Sequence, residues 1–267
     1  MLYSFDIMKN MLFLMKNHVF LLSILTIILV ATIFFIVNYY FNDVRFLTKK
    51  EVCELLTKDL DNYYETFNEN DFLVRKVRNE NEYIEKFSNS CSEFTMQEKK
   101  IINECTKVVR KRLRESSGVL GKGFDSLKAS KMPIVFGCMK GYDYENGFPH
   151  TRFPAIILYH QQLSGISMKS LEKIIVHEMM HLYQKMYPRD LDVYLNQNNF
   201  ELVKRRNGYD NIRANPDTDE YVYRNNNTNQ TYQYIYKPFP VSIGDVIRTD
   251  QEHPFEEMAY NMESIVE

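Results

Sequence analysis

Residues 167 to 188 read SMKSLEKIIVHEMMHLYQKMYP, and the rest of the chain is best read outward from them. Leu171, Ile175, Met179, Leu182 and Met186 recur at spacings of three and four, which predicts an amphipathic helix with one buried side. Ser167 or Ser170 can cap its start, and Pro188 ends it one residue after Tyr187. Inside this helix His177-Glu178-Met179-Met180-His181 fits the pattern HExxH. At 3.6 residues per turn, positions i and i+4 share a face, so His177 and His181 can offer two imidazoles to one ion. Glu178 then projects beside the ion's open position, where a carboxylate can take a proton from water. The chain has only 6 His among 267 residues, so a chance match to the pattern is rare.

A hydrolytic zinc site keeps three protein ligands, so a third must come from elsewhere in the chain. The short-spaced HExxHxxGxxH form is excluded, because Gln184 stands three residues after His181 and no histidine follows until His253. A glutamate on a later helix remains, and Glu256-Glu257-Met258-Ala259 is the best candidate. Pro254 opens that helix, Phe255 to Val266, and Glu256 and Glu257 lie near the positive end of its dipole, which alone is a bland reason for carboxylates there. His253 reads as a loop residue before Pro254.

HEMMH, preceded by a strand and followed by a helix carrying Glu-x-x-Ala, resembles the gluzincin branch of zinc metallopeptidases over roughly Ile134 to Val266. The resemblance implies Zn2+ held by His177, His181 and Glu256, with Glu178 as general base and a small residue that lets the two helices pack closely. Glu257 is the alternative third ligand. Asn-Pro-Asp at 215 to 217, the tyrosine-rich stretch after it and His-Pro-Phe-Glu-Glu-Met-Ala-Tyr from His253 are also similar to uncharacterised zincin-like proteins of large DNA viruses.

Around the central helix the chain divides into four parts: an N-terminal flank (1–18), a transmembrane helix (19–37), a helical juxtamembrane region (38–117) and a zincin-like α+β catalytic domain (118–267) with a small sheet. Val19 to Val37 carries no charge, enough at 1.5 Å per residue to cross a hydrocarbon core of ~30 Å. It exceeds the apolar core of a signal peptide, and Asn38-Tyr39-Tyr40-Phe41 offers no small-residue cleavage site but suits an interfacial aromatic belt. Lys9 and Lys16 before the segment and Arg45, Lys49 and Lys50 after it leave the side of the membrane undetermined. In the juxtamembrane region, Thr48 and Glu51 form a capping box for a helix to Asn68, a second helix is expected over Phe72 to Phe87, and Thr95 and Glu98 cap a third. The basic run Arg110, Lys111, Arg112, Arg114 suits that third helix's C-terminal end.

Ser116 to Gly123 is a break, after which Pro133 to Met139 and Pro154 to Tyr159 read as strands. The second leads into the HExxH helix, and as an edge strand it can form a cleft rim where an extended peptide adds by backbone hydrogen bonds. A helical piece is expected over Leu191 to Leu202, a turn at Asn215 to Asp219, and strands over Glu220 to Arg224 and Thr231 to Lys237.

Cys53, Cys91, Cys105 and Cys138 can form two disulfides in an oxidising lumen or stay reduced in a cytosol, and no CxxC pair points to a cysteine zinc site. Asn226-Asn227-Thr228 and Asn229-Gln230-Thr231 match glycosylation sequons, which an Asn-rich loop also produces by accident. A net charge of −2 gives no reason to expect nucleic acid. The expected protein is a single-pass membrane-anchored zinc metallopeptidase, its partners a peptide or protein substrate, the bilayer through 19–37, and a protein bound by the helical juxtamembrane region. Tyr221, Tyr223, Tyr260, Arg213 and His253 are candidates to stabilise an oxyanion. The competing reading is a catalytically silent zincin-fold protein with a structural or assembly role on the membrane, against which the intact Glu178 argues.

Overall fold

Two short apolar runs buried on both faces build the centre of the molecule, a computed structural model of which describes residues 44–267 apart from 117, 119, 120, 122 and 249–251. In chain order the elements that matter most are strand β1 (Val44–Phe46), helices α1 (Lys49–Lys58), α2 (Glu69–Val74) and α3 (Glu80–Ser88), strand β2 (Cys91–Ser92) and helix α4 (Met96–Glu115). A short helix α5 (Ser126–Lys131), strands β3 (Ile134–Met139), β4 (His150–Arg152) and β5 (Ala155–Tyr159), and helices α6 (His160–Leu163), α7 (Met168–Met186) and α8 (Pro188–Gln197) follow. Strands β6 (Phe200–Arg205), β7 (Tyr221–Asn225) and β8 (Gln230–Tyr232) form a small antiparallel sheet, β9 (Ile235–Tyr236) pairs with β10 (Val246–Ile247), and helix α9 (Pro254–Glu263) closes the chain with a 3-10 turn, Ser264–Val266.

The main sheet has the order β1-β3-β5-β4, with β2 pairing antiparallel to the far end of β3. β1, β3 and β5 are parallel and β4 runs antiparallel to β5. Every residue of β5 is buried, as expected for a strand covered on both faces. Phe136, Cys138, Ile156 and Leu158 face one core with α4, α7 and α9, while Met139, Ala155, Ile157 and Tyr159 face the other with α1 and α3. Gly137 lets α1 settle on that second face: a Cβ there would lie 2.8 Å from Ile157 Cδ1 and 3.3 Å from Val52 Cγ2. Cys53 of α1 and Cys91 of β2 form a disulfide with Cα atoms 5.9 Å apart, while Cys105 and Cys138 are buried and unbridged.

The molecule is α+β, but the expected architecture is corrected on two points. Among the described residues no helix is long and apolar enough to cross a membrane, and the expected span Val19–Val37 lies outside those residues. The helical juxtamembrane region does not stand apart from the sheet-bearing part. β1 and β2 are strands of the main sheet and α1 and α3 cover one of its faces, so Val44 to Glu267 forms one compact unit. Helical periodicity reports that a side is buried, not what it is buried against.

Local corrections have local causes. The helix expected to run to Asn68 stops at Lys58, where Asp59 turns left-handed (φ 43°) and its carboxylate accepts from the backbone N–H groups of Tyr63 and Tyr64. The helix expected over Phe72 to Phe87 is two, each with its own cap, Asn68 and Asn79. The helix expected to reach Leu202 ends at Gln197, and Asn199 (φ 58°) turns the chain into β6. The strand before the HExxH helix is central rather than at the edge, which belongs to β4. The outward backbone groups of Thr151 in β4 are already bonded, its N–H to Asp217 Oδ1 (2.6 Å) and its carbonyl to Lys185 Nζ (3.2 Å), so a peptide cannot add at Thr151.

Candidate metal centre

α7 forms as its sequence dictates. Ser167 accepts from the N–H of Ser170 at the start, Leu171, Ile175, Met179 and Leu182 are buried, and Pro188 opens α8 directly after Tyr187. α9 starts with Pro254 in its first turn, and His253 acts as its N-cap through Nδ1. Met258, Ala259 and Met262 are fully buried in the core shared with α7, and this packing turns Glu256 toward the histidines.

Three atoms converge. His177 Nε2 lies 3.1 Å from His181 Nε2 and 3.4 Å from Glu256 Oε2, and His181 Nε2 lies 3.8 Å from the same oxygen. Four ligands around zinc at about 2.0–2.1 Å stand roughly 3.3 Å apart, so the spacing suits a single ion. The donor chemistry suits it as well. His177 Nδ1 lies 2.9 Å from Glu263 Oε1 and His181 Nδ1 lies 3.0 Å from Gln184 Oε1. Both outer nitrogens therefore carry a hydrogen, which turns the two Nε2 atoms toward each other and toward a carboxylate, the positions from which they could hold a metal. In the metal-free protein the positive charge among the three atoms is a proton that His177 holds beside Glu256, and a metal ion would take that proton's place.

The electrostatics follow from burial and neighbours. Burial alone would lower the pKa of His177, but the flanking carboxylates of Glu256 and Glu263 outweigh it and push it up to about 11. His181, fully buried, is pushed down to about 3. Against burial, which would raise it, the two histidines hold Glu256 well below the usual carboxylate range. Glu178 is 3 % exposed and burial raises its pKa, with Glu256 adding to the shift and a hydrogen bond with Asp217 opposing it, while Asp217 is raised by its own burial and by the charges of Glu178 and Glu256. Thr151 Oγ1 donates to Glu178 Oε2 at 2.9 Å and holds the carboxylate at the cleft.

The cleft has a volume of about 610 Å³ and is lined by His177, Glu178, Glu256, Asp217, Arg213 and Tyr260 among others. Of the groups considered for oxyanion stabilisation, Tyr221 and Tyr223 do not line it, and Tyr223 donates to Asp219 Oδ2 at 2.8 Å. His253 is 4 % exposed with Nε2 3.1 Å from Asp219 Oδ1, and Arg213 is clamped by both oxygens of Glu252. Tyr260 remains, its ring edge-on to His177 at 4.8 Å and its hydroxyl without a partner among the described residues. Glu257, the alternative third ligand, accepts from the hydroxyl of Tyr232 at 3.1 Å and does not line the cleft.

The sequence assigns no site role to Thr151, Gln184 or Glu263, and it marks Asn215 and Asp217 only as a turn and as part of the resemblance to viral zincin-like proteins. Asn215 Nδ2 donates to Glu256 Oε1 at 2.8 Å, and Lys185 Nζ donates to the carbonyl of Pro216 at 2.7 Å, fixing the Asn-Pro-Asp turn against α7. Glu263 had a readable signal, since it stands two helical turns after Glu256 and so shares its face. In comparisons with protein-family models, curated proteins and solved structures, nothing matches this chain.

Proposed function

We propose that this chain is a zinc-dependent peptidase whose ligands are His177, His181 and Glu256, in the manner that the gluzincin resemblance implies. The observation that carries the reading is the convergence of three metal-ligand atoms beside a buried carboxylate in an open cleft. Zinc supplies, when bound, Lewis acidity toward a carbonyl and a coordinated water acidified to a pKa of about 7. The chain's own groups do the rest. Glu178 has one oxygen fixed by Thr151 and would take a water proton on its carboxylate, then deliver it to the leaving amine. Glu263 and Gln184 hold the imidazoles in the tautomer that leaves Nε2 open. Tyr260 can donate to the carbonyl oxygen of a peptide in the cleft.

The test is zinc stoichiometry together with cleavage of a peptide library by the full chain, compared with Glu256→Ala and His181→Ala. The expected result is one zinc per chain and measurable cleavage in the wild type, with both lost in the two variants. Full zinc affinity in Glu256→Ala would remove that ligand from the reading. One zinc per chain with no cleavage of any peptide would favour the catalytically silent, structural reading.

A further inference from the structure

Away from the cleft, the ends of three elements bring a hydroxyl, an imidazole and a carboxylate into line. Ser92 lies in β2, His160 opens α6 directly after β5, and Glu98 is in the first turn of α4. Ser92 Oγ is 2.9 Å from His160 Nε2, and His160 Nδ1 is 2.7 Å from Glu98 Oε1. None of the three lines the metal-site cleft.

The proton positions follow from the acceptors. Glu98 is held ionised: against burial, which alone would raise its pKa, the hydrogen bonds from His160 and Thr95 keep it below the usual carboxylate range. Its Oε2 accepts from the N–H of Thr95 at 2.7 Å, so Oε1 is left for the imidazole. His160 Nδ1 must then carry the hydrogen, and Nε2 presents its lone pair to the hydroxyl of Ser92. This is the arrangement by which a base, oriented by a third group, activates a nucleophile. Glu98 thus has a second role beyond the capping box that its sequence position announces.

Cys138 competes for the same nitrogen, because the β2–β3 register sets it opposite Ser92 and its Sγ lies 3.4 Å from His160 Nε2. Cys138 is fully buried, however, and burial pushes its thiol well above the usual range. Ser92 is closer to the nitrogen and only partly buried, and the His160 side chain is 28 % exposed. Glu93 and Met96 beside them are exposed, so a small electrophile can approach from solvent.

We propose that Ser92, His160 and Glu98 form a second reactive site, in which Ser92 is an acyl-accepting nucleophile toward carboxylic esters. In the first step the Ser92 Oγ–acyl carbon bond forms and the ester C–O bond breaks. The hydroxyl proton passes to His160 Nε2 and from there to the leaving alkoxide. Water then reverses the sequence, giving its proton to His160 and releasing the acid.

A biotinylated fluorophosphonate is the probe: its P–F bond breaks, fluoride leaves, and the Ser92 O–P bond forms. The full chain should acquire one adduct, mapped to Ser92 by peptide mass spectrometry, and lose it in Ser92→Ala and in urea. Glu98→Gln keeps an acceptor for the Thr95 N–H but turns an amide donor toward His160, which forces the hydrogen onto Nε2. That variant and His160→Gln should label roughly a hundredfold more slowly. Glu178→Gln should label at the wild-type rate, which separates this site from the metal centre. No adduct on Ser92 in the folded wild type would overturn the proposal, and so would equal labelling rates in His160→Gln or in urea.

Discussion

Two clusters of buried charge in this molecule are built on opposite rules. Around Arg75, every acceptor has a donor: its guanidinium bonds both oxygens of Glu145 (2.9 and 2.8 Å) and Asp71 Oδ1 (3.3 Å). Tyr83 donates to Glu145 at 2.6 Å, and Tyr236 and the Ala214 N–H donate to Asp71 at 2.9 and 3.0 Å. Around His177, His181 and Glu256 three ligand-type atoms share a single proton, held on His177, where the first cluster has a separate donor for each oxygen. His181 and Glu256 are buried as the Arg75 cluster is, while His177 is partly exposed, so burial alone does not distinguish the two clusters. The balance of donors and acceptors does.

The largest effect is expected from removing chemistry at the second cluster without touching its three converging atoms. Glu178→Gln keeps the shape of the side chain and all three proposed ligands but cannot take a proton. Peptide cleavage should fall by about 10²- to 10⁴-fold while zinc per chain stays the same. Cleavage unchanged in this variant would take the general-base role away from Glu178.

The converse experiment acts on the paired cluster. Arg75→Met leaves Glu145 and Asp71 buried without their counter-charge, so urea unfolding should show a loss of about 3–5 kcal/mol. Zinc per folded chain should be unaffected. A variant as stable as the wild type would mean that the pairing does not set the fold's stability there.

How much of this contrast could be read in the sequence depends on the distance over which each cause acts. The capping boxes at Thr48–Glu51 and Thr95–Glu98, the apolar stripe of α7 and the strands β3 and β5 are set by neighbours within a few residues, and they appear where the spacing predicts. The left-handed turn at Asp59 gave no such signal, because its carboxylate is held partly by Arg152, 93 positions later. HExxH was legible because one helix repeat aligns its parts. Thr151 and Asp217 were not, since β4 and the Asn-Pro-Asp turn meet α7 only through the sheet edge. The pairing of β1 and β2 with β3 was likewise hidden, because short strands carry little periodicity.

Acid gives a smaller and graded test of the paired cluster. Burial alone would raise the pKa of Glu145, but the Arg75 guanidinium and the Tyr83 hydroxyl outweigh it and hold the carboxyl at about 2, against an ordinary 4.5. A depressed folded-state pKa stabilises above the ordinary value, and the gain is lost as pH falls from about 4.5 through 2. The contribution at neutral pH is on the order of 3 kcal/mol. Urea unfolding measured between pH 5 and pH 2 should show this decline, and Glu145→Gln should flatten it. An equal decline in the variant would assign acid sensitivity to other carboxylates, such as Asp61, which Lys185 and Arg152 also hold low against burial.

The smallest expected effect probes whether the second cluster is tuned from behind. Glu263 is a half-exposed carboxylate on the outer nitrogen of His177, and it touches none of the three converging atoms. Glu263→Gln can still accept from Nδ1, so the tautomer is kept while the negative charge behind the imidazole is lost. Zinc affinity should weaken by about 10- to 100-fold, measured by competition with a chelator, and urea stability of the metal-free protein should barely move. The same substitution at Glu145 would act the other way round, on stability rather than on metal. An unchanged zinc affinity in Glu263→Gln would reduce Glu263 to an ordinary partner of a buried histidine, and with it the claim that donor balance marks the functional cluster.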